Sequence, residues 1–448
     1  MATTLTQPET RASSFTTRPA PQKAVVVQSG ARDAYQVARA LAEAGMLETL
    51  VTDLFWPSDR AWTKTLGPRL PASLRAMLAG RSEPRLPSSR VHLCAISGLA
   101  TLLLDKLPGI PLPLRRRVTR ATDATLGRTA GRLARRTGAG LLSYSYYGYD
   151  AFSHYPHPGI LFQLHPHPAS MRRILTEELT AHPDCASSLT QEWELSLPEG
   201  DFQHLVRETT MAAHFLAASS FTRSTLVEHG TPPSAVTVIP YGVDSSRFTP
   251  ASEPPSATGP LRLLFVGRIN QRKGIKYLLE ALRLLNTREV HLTVCGRVVD
   301  SLDLFKPFAS QVDIRPDVSA QELVRQYQAA DLFVFPSVAE GFGQVLLESL
   351  ASGLPILSTT RTAAPDLVTH AKEGFVVEPR RPDLLAQHID WALTHRGDLT
   401  HMGRAARLRA EQFTWGRFRS GVVSAVSNFL AGDLASAQPA HKASSPRV

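Results

Sequence analysis

Apolar positions along the chain follow two alternating periods. In the second half, runs with few polar residues, LRLLFVG (261–267), VHLTVCG (290–296), DLFVFPS (331–337), LPILSTT (354–360) and GFVVEP (374–379), predict buried strands. The segments between them repeat apolar residues every three to four positions and predict helices over 274–286, 319–330, 344–352 and 381–395. The first of these places Ile275, Leu278, Leu279, Leu282 and Leu285 on one face. Strands apolar on both faces, alternating with amphipathic helices, predict a parallel sheet covered on both sides.

The first half has the same style with longer insertions. It predicts strands over 24–29, 47–53, 140–145, 159–165, 214–220 and 235–240 and a helix over 34–46. Between 54 and 139, Pro and Arg interrupt the pattern, which predicts short helices inserted between two strands. TPASEPPSATGP (249–260) has no apolar period and reads as a linker. The chain thus predicts an α/β protein of two Rossmann-like, doubly wound domains, 22–248 and 261–412. They face each other across a cleft at the carboxyl ends of their strands, where ligands of such sheets bind. FTWGRFRSGVVSAVSNFL (413–430) predicts an amphipathic helix, and 1–21 and 432–448 predict disordered tails.

Composition narrows the class. Of 448 residues 43% are hydrophobic and 20% charged, as in a globular protein. The longest apolar run, AISGLATLLL (95–104), is too short for the roughly 20 residues a membrane span needs. The N-terminus lacks the basic start and apolar stretch of a secretory signal. Cys94, Cys185 and Cys295 lie far apart without a ligand or disulfide pattern, so a cytoplasmic setting is expected. Charge is uneven: residues 60–140 hold 16 Lys and Arg against Glu83, Asp105 and Asp123, a net +13, which leaves −3 for the rest of a +10 chain. Within this block Arg117, Arg120, Arg128, Arg132 and Arg135 are spaced to share one helical face. That face is a solvated stripe or, over 114–136, a dock for an anionic membrane surface. No base-reading module accompanies it, so no nucleic-acid partner is expected.

Two stretches carry candidate chemistry. In VGRINQRKG (266–274), Arg268 follows a strand end and Lys273 precedes a helix. Two cations beside a helix N-terminus at a sheet edge suit a pyrophosphate, unless both are merely solvated. In SVAEGFGQVLLESLASGLP (337–355), Gly341 and Gly343 allow close backbone approach to a ligand. The amides near Gly343, Gln344 and Val345 open a helix and form a second anion site. Glu340 precedes the turn. Glu348 lies about one turn into the helix among Leu346, Leu347 and Leu350, where a carboxylate needs hydrogen-bond donors such as the hydroxyls of a ribose. The alternative for Glu348 is an acid that complements the helix dipole.

Together with AVTVIPYGVDSSRFTP (235–250), these two motifs resemble the retaining glycosyltransferases of family 4, which have the GT-B fold. The resemblance spans roughly 205–415 and rests mainly on the E-x7-E pair Glu340/Glu348. It implies that Arg268 and Lys273 bind the diphosphate of a nucleotide-sugar donor, together with the amides of Gly343, Gln344 and Val345. Gly341, Phe342 and Glu348 would line the donor sugar and ribose, and Glu340 would hold hydroxyls of the transferred sugar. In LFQLHPHP (162–169), His165 matches a family histidine that lines the cleft near the sugar, which makes His165 and Glu340 the candidate catalytic residues. His167 is a possible acceptor contact; the alternative for both histidines is a stiff His-Pro loop. After the first strand the family commonly carries a glycine pair. QSGARDAYQ offers Gly30 alone, with Arg32 as a further phosphate contact. SYSYYGYDAF (143–152) stacks on an acceptor sugar or packs in the core or at the rim. The C-terminal helix would cross back onto the first domain.

The function implied is transfer of a hexose to a glycan or lipid-linked acceptor, in exopolysaccharide or surface-glycan synthesis. No cofactor beyond the donor co-substrate and no metal is expected, since the chain has no Asp-x-Asp pair. The alternatives are a GT-B epimerase or phosphorylase, the latter lacking an identifiable cofactor lysine, and a basic membrane-surface protein with a degenerate site.

Overall fold

A computed structural model describes residues 22–30, 33–95, 98, 110–252 and 258–432. The first sheet contains β1 (Ala24–Val27), β2 (Leu47–Thr52), β3 (Val91–Leu93), β4 (Gly140–Tyr144), β5 (Ile160–Gln163), β6 (His214–Ala217) and β7 (Val236–Val238), in the order β3-β2-β1-β4-β5-β6-β7. The second contains β8 (Leu261–Val266), β9 (Val290–Cys295), β10 (Val312–Arg315), β11 (Leu332–Phe335), β12 (Ile356–Thr359) and β13 (Gly374–Val377), in the order β10-β9-β8-β11-β12-β13. Every pairing is parallel. Strand order reverses between β1 and β4 in one sheet and between β8 and β11 in the other, so each sheet has one crevice at its carboxyl edge.

The strands predicted from apolar runs are all present, each trimmed by a residue or more where the run enters a turn. The edge strands β3 and β10 were not predicted: VHL is mostly exposed and VDIR is half-buried throughout, so they lack the apolar run. The short helices expected over 54–139 require correction. Short helices over Ala61–Leu66 and Ala72–Ala79 are there among the described residues, but Leu112–Thr137 is one helix of 26 residues. Its Pro113 sits in the first turn, where no backbone N–H is needed, and its arginines are good helix formers. Gly127 and Gly131 let it approach the Gly148–Ser153 helix so closely that a Cβ on either would collide with the Tyr147 or Ala151 carbonyl.

The five-arginine face is also corrected. Arg120 is only 6% exposed. It donates to the Tyr146 carbonyl (3.0 Å) and pairs with Asp123, Asp150 and Asp201, because a guanidinium turned inward needs acids around it. Arg117, Arg132 and Arg135 remain exposed.

The two cores exchange chain. The helix Trp415–Leu430 leaves the second domain and buries Phe418, Val422, Val426 and Phe429 in the core of the first, where Arg419 reaches Gln36 (2.8 Å) and Glu43 (3.3 Å). In return the helix Pro168–Ala181 and its continuation bury Met171, Ile174, Leu175, Cys185 and Leu189 in the core of the second. Glu178, fully buried, accepts from Arg380 (2.7 Å) and Gln271 (2.6 Å) across that seam. The linker's 253–257 and the tails 1–21 and 433–448 lie outside the described residues.

Candidate functional site

The loops that leave the two reversal points face one another. After β8 the chain turns through Gly267, and Asn270 caps the short turn Gln271–Lys273 by accepting from the Lys273 amide (3.3 Å). After β11, the Ser337 hydroxyl and the Val338 amide donate to the Arg272 carbonyl (3.1 and 2.9 Å), which fixes the two loops against each other. Glu340 therefore lands on the cations of the first loop. Its carboxylate pairs with Lys273 Nζ and with Arg272 Nη1 (3.2 Å). Burial would raise the Glu340 carboxyl, but Lys273 and Arg272 outweigh it and hold it at about 2. Arg272 extends the array to the other domain: its Nε lies 3.2 Å from Glu192, which also accepts from Asn270 Nδ2 (3.0 Å). Two carboxylates and two cations thus alternate across the cleft, all largely removed from water.

Arg268 stands apart, exposed at the end of β8. Gly343 has φ +84°, which favours glycine, and starts the helix Gln344–Ala351. Val345 lies half-buried in its first turn, and the Gln344 side chain donates to the Gly242 carbonyl (2.7 Å). Glu348 is raised by burial, and Tyr327 Oη donates to it at 3.0 Å. The protein therefore supplies one of the donors this carboxylate needs.

Several expectations are corrected. The room at Gly341 does not open to a ligand: a Cβ there would strike the Leu164 carbonyl, and the Gly341 carbonyl accepts from Ser219 and Thr222. The glycine serves closure of one domain on the other. Phe342 is buried, its ring edge-on to Tyr241 at 5.1 Å, so its side chain packs between domains. Gly30 has φ +68°, but its amide donates to Asp53 (2.8 Å), and Arg81 lies over it, bound to the same carboxylate. The Gly30 amide is therefore already taken by the protein. Arg32 lies outside the described residues.

The two histidines separate. His165 is half-buried, 5.8 Å from the Tyr146 ring, and close enough that a positive charge on it would lower the Glu340 carboxyl. His167 is not available to an acceptor. It caps Pro168–Ala181, with Nδ1 accepting from the Ala169 amide (3.2 Å), Nε2 on Thr209 (3.1 Å) and its ring stacked on His229 (3.9 Å). Burial and His229 push its pKa down to about 3. A neutral buried histidine stabilises the fold above the ordinary value near 6.5, and that stability is lost as pH falls from there toward 3. We expect His167→Asn, which keeps a capping oxygen, to leave turnover within a few-fold and to flatten the loss of thermal stability on acidification. Turnover collapsing at unchanged stability would return His167 to the active set.

Sequence reading missed Arg272, Glu192, Trp193 and Arg116. Arg272 stood beside Lys273 in the quoted motif and could have been found. Glu192 and Trp193 carried no local signal, since only the packing of 186–196 on the 270–273 turn brings them in. Trp193 lies 5.7 Å from Tyr146 and beneath the Arg116 guanidinium (4.0 Å). The Tyr146 turn, at φ +83°, is held by buried Glu208, which accepts from the Tyr146 and Gly148 amides (2.9 and 3.0 Å) and is pushed up by burial to about 8.

Comparison with known proteins places this geometry. Residues 249–409 match the family model described as glycosyl transferases group 1. A D-inositol 3-phosphate glycosyltransferase of Pseudarthrobacter chlorophenolicus is 32% identical over 224 residues, 46% of this chain and 53% of the relative. The enzyme of the same name from Streptomyces scabiei is 34% identical over 208 residues, 41% of this chain and 46% of the relative. The chain thus spans about half the length of these relatives. In fold it is similar to sucrose-phosphate synthase from Thermosynechococcus elongatus (TM-score 0.63, 17% identity, 92% of this chain and 100% of that one). It is also similar to Anabaena HepE solved with UDP and glucose (TM-score 0.57, 16% identity, 91% and 100%). The chain has the two-domain GT-B fold, and its second domain carries the match to the group 1 glycosyl transferases.

Proposed function

We propose that this chain is a retaining, metal-independent glycosyltransferase that moves a hexose from a nucleotide diphosphate sugar to a hydroxyl of a glycan or lipid-linked acceptor. The observation that carries the reading is the Glu340–Lys273–Arg272 cluster, set where the second sheet reverses, beside a helix that starts at Gly343. Lys273 and Arg268, with the amides of the Gln344–Ala351 helix, take the charge that develops on the leaving diphosphate. Glu340 suits sugar orientation better than nucleophilic attack: a carboxylate held near 2 by two cations is a poor base and nucleophile. In same-face attack the bond from sugar C1 to the β-phosphate oxygen breaks and the bond from C1 to the acceptor oxygen forms. The acceptor's proton passes to the departing phosphate, so retention needs no enzyme nucleophile. His165 and the Tyr146–Trp193 platform lie on the acceptor side. The relatives' name supports a phosphorylated polyol as acceptor; exopolysaccharide or surface-glycan synthesis rests on the sequence resemblance.

A cytoplasmic enzyme docked on the membrane is part of this proposal. No described helix is long and apolar enough to cross a membrane. Leu114, half-exposed, and Arg117, Arg132 and Arg135 lie on the open side of Leu112–Thr137. With about 1 kcal/mol per cation at an anionic surface, reversing the three arginines to Glu should weaken co-sedimentation with phosphatidylglycerol vesicles by about a hundredfold or more. Equal sedimentation of both proteins removes the docking role.

The deciding experiment incubates the purified chain with a panel of UDP- and GDP-sugars, with and without such vesicles. Binding and consumption of one donor is expected. If no donor is bound or consumed, the transferase reading is wrong.

A further inference from the structure

Charge pairing in the cleft is unequal. Lys273 and Arg272 already face Glu340 and Glu192. Arg268 and Arg116, one from each domain, form no ion pair among the described residues. Arg116 comes from the first turns of Leu112–Thr137 and is half-buried. It is held by three contacts: Nε donates to Ser196 Oγ (3.0 Å), Nη2 donates to the Gln191 carbonyl (2.5 Å), and the guanidinium plane lies on Trp193 (4.0 Å). Gln191 adjoins Glu192, whose carboxylate accepts from Asn270, and the Asn270 amide donates to the Arg268 carbonyl (3.0 Å). Arg116 and Arg268 are therefore anchored at two ends of one short chain of contacts across the cleft. The one acid in that chain, Glu192, is paired with Arg272.

We propose that Arg116 is the first domain's half of a phosphate-binding pair with Arg268, and that Trp193 and Ser196 hold its guanidinium ready for a phosphate group entering the cleft. A planar guanidinium stacked on an indole has lost little freedom to bind and still offers N–H groups, the arrangement that suits bidentate phosphate recognition. Burial lowers the Arg116 pKa and Arg268 adds to that, as expected of two cations that lack a shared anion. The Glu192 and Glu194 charges oppose this shift, yet Glu192 is paired with Arg272. The phosphate has two possible sources, the donor's diphosphate or a phosphorylated acceptor. The inference deepens the transferase reading and rests on it for which of the two applies.

The test measures binding to the full chain and to Arg116→Gln by calorimetry, with inorganic pyrophosphate as a base-independent donor probe and glucose 6-phosphate as an acceptor probe. Arg116→Gln should weaken one of them by about tenfold or more. Loss confined to pyrophosphate assigns the donor diphosphate, and loss confined to glucose 6-phosphate assigns the acceptor. Arg116→Lys, which keeps the charge without the planar fork, should recover part of the loss. If Arg116→Gln unfolds, Ser196→Ala takes its place, freeing the guanidinium without removing it and weakening the same probe to a smaller extent. Unchanged affinity for both probes in a folded Arg116→Gln, or no binding of either by the parent chain, overturns the proposal. Arg116-dependent phosphate binding without consumption of any donor in the panel leaves the phosphate site standing and removes the transferase reading.

Discussion

Replacing Lys273 with Met should lower sugar transfer by at least about a hundredfold, the scale of losing one group that stabilises charge on a leaving diphosphate. The same change should alter acid stability. Glu340 is held at about 2 although burial alone would raise it, because Lys273 and Arg272 outweigh burial. A carboxylate depressed in the folded state contributes stability that is present above its ordinary range near 4.3 and is lost as pH falls toward 2. From that depression the contribution is on the order of 3 kcal/mol. With Lys273 gone, Arg272 alone faces Glu340, the carboxyl moves up, and acid unfolding should begin at higher pH. Circular dichroism followed through this range, alongside donor turnover, checks both effects. Retained turnover with an unmoved acid limb would mean that Lys273 is a structural cation only.

Gly341→Ala should separate the domains. The added Cβ would meet the Leu164 carbonyl, a backbone atom that no rotamer change can move, and neighbouring Ser219 and Thr222 hold the Gly341 carbonyl. Overpacking at such a site costs about 1–3 kcal/mol or more. The cheapest relief is to swing one domain off the other, since the protein within each domain is close-packed. We expect a larger radius of gyration by small-angle scattering, with transfer reduced by about tenfold or more because the chain at Leu164 and His165 is pushed off the Gly341 loop. The contact is with the backbone beside His165 itself, so even a small opening acts on the site. An unaltered scattering profile with full turnover would show that the loop yields locally. Gly343→Ala is a useful contrast: it strains a left-handed turn at φ +84° without touching the other domain.

The central strands were legible because β1, β4, β8 and β11 are buried on both faces, and burial on both faces leaves an uninterrupted apolar run. The Glu340–Lys273 cluster was legible for a related reason: a cation or acid next to a strand end and a glycine turn is placed locally, so Lys273, Glu340 and Gly343 could be named from a few neighbours. Edge strands β3 and β10 were not, since a half-open edge needs no such run. Nor was the single helix Leu112–Thr137, whose Pro113 and two glycines look like breakers until the first-turn position of the proline and the close packing at Gly127 and Gly131 are seen.

What the sequence determined by itself was the α/β architecture and one wall of the site, since both depend on residues within a turn or two of each other. Only the tertiary structure decided which domain each segment serves and which charges meet. Residues 168–189 complete the second core, 418–430 complete the first, and Glu192 reaches Arg272 across 80 positions of sequence. The reason is physical: a long-range ion pair or an interdomain glycine contact leaves no period in the chain. Its partners are set by how two packed bodies close on each other, and that closure packs Gly341 against the Leu164 carbonyl and makes His167 a helix cap.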